Sequence, residues 1–205
     1  MEQKNKIEEA LKASMRSKKT KEDETKSVEW LRQKARVAAK ENQARRKKRR
    51  DKLLGDESRI VASFQSGAMY LFSYDAKYKD TLPYWDLNPL IFPIEVTATT
   101  ILGLNLHYLQ PMLRAKLLDA ILDLPRYKTE QQRAKISYDI IKSVSGFHLA
   151  APTIHKYLST HIRGNMIEIP REEWNYVGFL PLANFKSLTG SASLSRVYSD
   201  SRKKI

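Results

Sequence analysis

Apolar positions are sparse at the start of the chain and dense in its middle. Ile7, Leu11 and Met15 recur at spacing four, and Val28, Leu31, Ala35 and Ala38 form a second thin stripe. Stripes this narrow predict helices with one docking seam and too little apolar area for a core of their own. Ser27 ahead of Trp30 and Leu31 reads as a helix start. A helix from there to Leu53 would be roughly 40 Å long at about 1.5 Å per residue.

From Ile60 onward aromatic, β-branched and proline residues arrive together, and the pattern becomes that of a folded domain. The run Tyr70 to Tyr74 predicts a strand, Asp75 to Leu82 a polar turn, and Pro83-Tyr84-Trp85-Asp86 a rigid corner. Leu90 to Val96 predicts a second strand in which Pro93, lacking an amide proton, calls for an edge or a bulge. Gly103 to Leu109 alternates and predicts a third. Pro111 opens a helix to about Leu124 on which Met112, Leu113, Leu117, Leu118, Ile121 and Leu122 make a broad apolar face. Thr129 and Gln132 form a capping box for a helix to about Ser145 that buries Ile136, Ile140, Ile141 and Val144. Pro152 to Gly164 reads as a third helix, and Met166 to Ile169 and Asn175 to Leu180 as further strands. The class expected is α+β: a small antiparallel sheet or partly open barrel packed with about three helices, preceded by a long basic helical arm. The expected division is an arm over residues 1–54, a compact α+β domain over 60–185 and a basic tail over 186–205.

Charge sharpens this division. The chain has 205 residues and a net charge of +14. Residues 1–53 carry nineteen Lys and Arg against nine Asp and Glu, so they hold +10 of that excess. Such a balance favours a polyanionic partner. There is no cysteine, which excludes a disulfide scaffold, a cysteine zinc site and a cysteine nucleophile. No apolar run approaches the roughly 20 residues of a spanning helix, and the first residues lack the apolar segment of a signal peptide, so a soluble protein that is not exported is expected.

The sharpest local feature is the run Arg45-Arg46-Lys47-Lys48-Arg49-Arg50. Six successive cations on a helix point in every direction, which suits a groove of phosphates better than one flat protein surface. Lys34, Arg36 and Lys40 precede the run on the same arm, and Arg202, Lys203 and Lys204 form a smaller group at the other end. These twelve residues are the candidate contacts to DNA or to a partner. No base-reading motif accompanies them, so the contacts expected are to the backbone and independent of sequence. The competing reading is a solvated basic tail. A membrane-surface helix is disfavoured because the opposite face lacks Trp, Phe and Leu.

Catalytic motifs are missing. There is no phosphate-cradling Gly-rich loop, nucleophile elbow or zinc-binding helix signature, and no cofactor or metal is expected. Asp75, Asp86 and Glu95 would be a magnesium-binding set if they converged, as a nuclease requires. The plainer reading of Asp75 and Asp86 is turn residues bonded to nearby amides. Tyr84 and Trp85 beside Pro83 suit either base stacking or core packing.

The segments Tyr70 to Asp75, Thr81 to Asp86, Pro89 to Pro93 and Gly103 to Leu109, followed by Met112-Leu113-Arg114, resemble a family of small virion proteins of contractile-tailed bacteriophages. The resemblance covers about residues 70–124 and transfers no catalytic residue. It implies a non-enzymatic structural protein of the particle, at the neck, at the tail or baseplate, or at the end of the packaged DNA. Other phage structural proteins, the DNA backbone and a symmetric multi-copy assembly are the partners it implies, and the virion, with the host cytoplasm during assembly, is the location. The alternatives are a magnesium-dependent nuclease acting in genome processing and a free nucleic-acid-binding protein of no sequence preference.

Overall fold

The structure, a computed structural model, describes residues 43–122, 129–145 and 151–203. Its chain order is α1 (Gln43–Leu54), β1 (Ile60–Val61), β2 (Met69–Tyr74), β3 (Trp85–Asp86), β4 (Leu90–Val96), β5 (Thr100–Asn105), α2 (Pro111–Leu122), α3 (Glu130–Ser145), β6 (Ile154–Leu158), β7 (Ile162–Ile169), α4 (Trp174–Val177), β8 (Phe185–Ser187), β9 (Gly190–Ser191) and α5 (Leu194–Lys203). Six strands form one antiparallel sheet in the order β1-β7-β2-β4-β5-β6, and β3-β8-β9 form a second. The large sheet is open, with β1 and β6 at its edges, so of the two forms expected it is the sheet and not the barrel. No helix among the described residues is long and apolar enough to cross a membrane.

Alternation along the strands divides the core in two. Met69, Leu71, Leu90, Phe92, Leu104, Ile167 and Ile169 lie on one face, with Leu118, Ile121, Ile140, Ile141 and Trp174 packed over them from α2, α3 and α4. Tyr70, Phe72, Tyr74, Ile91, Ile101 and Tyr157 form the other face, with Phe64 and Trp85 against them. Pro93 sits inside β4 at a register shift, the bulge that a missing amide proton demands. The capping box is formed: Gln132 N donates to Thr129 Oγ1, and Thr129 N donates to Gln132 Oε1.

Three expectations are overturned. Residues 152–164 are not a helix, because Ile154–Leu158 pairs with β5 across five residues and Pro152 lies in a single 3-10 turn. The β-branched and aromatic side chains of that strand prevail over the helix start that its proline suggests. Gly164 does have positive φ, at 72°, but it serves the β7 bulge opposite Phe72 and Ser73 and not a helix end. Residues 175–180 are not a strand. Trp174–Val177 is one helical turn, closed where Gly178 N donates to Trp174 O. A Cβ on Gly178 would lie 2.8 Å from Trp174 O and 2.7 Å from Leu118 Cδ1, and the backbone contact is the one that cannot yield, so glycine suits the end of this turn beside α2. The third predicted strand is shifted: it ends at Asn105, whose side chain accepts from His107 N and turns the chain.

Residues 186–203, within the stretch read as a basic tail, contribute two strands and α5. Val197 is fully buried between Tyr108 and Phe185. Buried Arg114 on α2 donates to Gly178 O at 2.7 Å, to Leu109 O at 3.0 Å and to Tyr198 Oη at 3.3 Å, tying α5 to α2 and the α4 turn.

Candidate nucleic-acid interface

Apart from Asp51, the α1 sequence is made of strong helix formers, and Gly55 ends it, donating to Asp51 O. Beyond it Asp56 caps a short 3-10 turn through Ser58 N. Arg59 then reaches Glu173 with both terminal guanidinium nitrogens, at 2.7 and 2.9 Å, and Asp56 with Nε at 2.8 Å. A two-pronged pair of this geometry fixes direction as well as distance, so the exit of α1 is held against the loop before α4.

The six-cation run does not point outward on every side. Arg46, Arg49 and Arg50 are half-buried and share a stripe with Leu53, which packs with Leu54 against the aliphatic core. Arg50 Nη1 donates to Leu182 O at 3.4 Å. Arg45, Lys47, Lys48 and Lys52 are exposed, and the spacing of 45, 48 and 52 sets three of them along one ridge. One side of the helix is thus moored, and the other presents a row of cations to solvent. Lys34, Arg36, Lys40 and Lys204 lie outside the described residues, while Arg202 and Lys203 fall in the last turn of α5.

The acids of the nuclease reading are not brought together. Asp75 pairs with Lys79 and with Arg163, Glu95 is exposed beyond the β4 bulge, and Asp86 is buried. Among the described residues no three His, Asp or Glu side chains are placed to share a metal ion. Asp86 is fully engaged. His107 Nδ1 lies 2.6 Å from Oδ2, Asn105 Nδ2 donates to the same oxygen, and the amides of Asn88 and Asn184 donate to Oδ1. Asn105 also donates to Tyr157 Oη at 3.0 Å. Burial pushes the Asp86 carboxyl up, but His107 and the two amides outweigh it and hold the group below its ordinary value. The centre therefore joins β3, β5, β6 and the segment before β8. The turn role of Asp86 is legible as Asp86-Leu87-Asn88, and Asn105-Leu106-His107 has the same turn spacing; that these residues and Tyr157 converge on one carboxylate leaves no local signal.

Residues 1–201 match the family of the phage T4 terminal DNA protecting protein. No curated protein and no solved structure matches the chain. Since the match spans nearly all of the chain, moored basic helix and both sheets included, this protein belongs to the phage T4 terminal DNA protecting protein family.

Proposed function

We propose that this protein is a non-enzymatic component of a phage particle that covers the ends of the packaged DNA, gripping them through the phosphate backbone. Its basic arm, residues 1–54, supplies the grip, and the α+β domain docks on neighbouring phage structural proteins. Family membership supports the DNA-end role. The observation that carries the backbone contact is α1 itself: exposed Arg45, Lys47, Lys48 and Lys52 on a helix held to the domain by Leu53, Leu54 and Arg50. A moored row of cations meets phosphates with less ordering cost than a free tail.

The test offers linear duplex to a processive exonuclease with and without the full protein. Protection of the linear form that is lost on raising salt is the expected result; digestion at an unchanged rate overturns the reading. Supercoiled plasmid with magnesium stays intact if the protein is no nuclease, whereas nicking returns the nuclease alternative.

A further inference from the structure

Phosphates are the same along the whole of a duplex, so a row of cations cannot tell an end from the middle. An end differs in offering a terminal nucleotide whose base can leave the stack and expose both its faces. A surface that reads ends therefore needs a ring-lined cleft of nucleotide size beside free cations.

The domain has one. A cleft of about 530 Å³ lies between residues 76–85 and β6, within the usual range for small-ligand sites. Its rings come from Tyr74, Tyr78, Tyr84, Trp85, Tyr108 and Tyr157. Most of them brace one another: Tyr74 meets Tyr157 edge-on at 5.0 Å, and Tyr84 lies 6.1 Å from Tyr108. Tyr78 differs. It is 61% exposed and Lys77 Nζ lies 5.2 Å from its ring centre. A ring this open offers a face on which a base can stack, with the Lys77 ammonium beside it.

Charge agrees. Lys77 and Lys156 border the cleft and have no carboxylate partner among the described residues. The two acids there are engaged, Asp86 by His107 and Asp200 by Arg196 at 3.8 Å. Burial lifts the Tyr108 and Tyr157 hydroxyls well above their ordinary range, so they stay neutral and add no charge against a phosphate.

We propose that this cleft takes the terminal nucleotide of a DNA strand, its base stacked on Tyr78 among the neighbouring rings and its phosphate between Lys77 and Lys156. The inference rests on the reading of the protein as a DNA-end component and assigns end recognition to the cleft, leaving backbone grip to α1.

The test uses the full chain and two probes. One is a covalently closed duplex circle, which has no end and reports α1 alone. The other is a short duplex whose 3′ overhang ends in 2-aminopurine, whose fluorescence falls when its base stacks on an aromatic ring. Wild-type protein is expected to quench the overhang probe, with roughly tenfold weaker binding and little quench in Tyr78→Ala and Lys156→Glu, as loss of a stacked base and a phosphate contact requires. Closed-circle affinity stays the same in both variants, and so does the melting temperature, since both side chains are exposed. No quench by the wild type, which is also the outcome if the cleft holds a protein segment instead, overturns the proposal. So does an undiminished quench in both variants. Failure of the closed circle to bind would sink the α1 reading instead and leave the quench as an independent measure of the cleft.

Discussion

Along β2, Met69 and Leu71 go under the helices while Tyr70, Phe72 and Tyr74 go to the opposite face of the sheet. The first face is aliphatic and is covered by α2, α3 and α4, whose side chains interdigitate with it. The second is aromatic and is covered by the chain around residues 61–68 and 76–85, irregular apart from the short β1 and β3. Two cavities border that second face, of about 530 and about 450 Å³, the smaller lined by Val61, Phe64, Ile101 and Met166. The difference follows from what each cover can do. Helices bring rows of flexible aliphatic side chains that fill gaps, whereas rigid rings under loops keep the spaces they frame. One face stores stability and the other keeps shape.

The strongest way to break this comparison is to hollow the aliphatic face. Leu71→Ala removes a fully buried side chain beneath the helices and is expected to lose about 2–5 kcal/mol in denaturant unfolding. Tyr74→Phe on the aromatic face removes only the hydroxyl that accepts from Leu158 N at 3.1 Å, a loss of about 1 kcal/mol. Equal losses from the two would show that both faces carry the same load.

The Asp86 centre, at the junction of the two sheets, comes next. Asp86→Asn replaces a carboxylate that accepts four hydrogen bonds and is expected to lose roughly 1.5–3 kcal/mol, the worth of a bond to a charged group. The pH dependence has a definite sign. The folded-state value of Asp86 lies below its ordinary 3.8, so its contribution is fully present above that value and is lost as the pH falls through the lower folded one. Acid titration of the wild type against Asp86→Asn should show the difference in stability shrinking below about pH 4. A gap that persists under acid would mean that shape and not charge matters there.

Backbone geometry gives a smaller effect. Gly164 has a φ of 72° with open space where a Cβ would go, so Gly164→Ala meets no neighbour and loses only the conformational preference, about 1–2 kcal/mol. A melting temperature unchanged by this variant would mean that the β7 bulge relaxes freely.

Much of this is legible in the sequence. The strands at Tyr70 and Leu90, the bulge at Pro93, the capping box at Thr129 and the α+β class follow from local chemistry. What failed was decided at long range. Ile154–Leu158 becomes a strand because β5 offers it a partner, and Trp174–Val177 is a helical turn whose Trp174 and Val177 are buried in the aliphatic core. Tyr84 and Trp85 were open to two readings, stacking or core. Trp85 packs into the aromatic layer, Tyr84 packs with Tyr108 and Phe185, and both line the cleft, so the choice turns on the space beside them, which no local pattern encodes. The basic run was legible as a run, but its division into a moored stripe and an exposed ridge needed Leu53 and Leu182 to be in place.

That division sets up the smallest effect on stability and the clearest effect on binding. Lys47 and Lys48 are exposed and lie off the stripe that carries Arg46, Arg50 and Leu53. Lys47→Glu with Lys48→Glu should therefore change unfolding free energy by no more than about 0.5 kcal/mol. The same double variant removes two of the cations available to phosphates. If both contact DNA, the slope of log affinity against log salt should fall by about 2, at roughly 0.9 per phosphate released. Arg46→Gln on the moored stripe is the contrast, expected to leave that slope in place. Equal slopes for the exposed and moored variants would mean that phosphates reach every side of α1, and the helix would then have to leave the domain in order to bind.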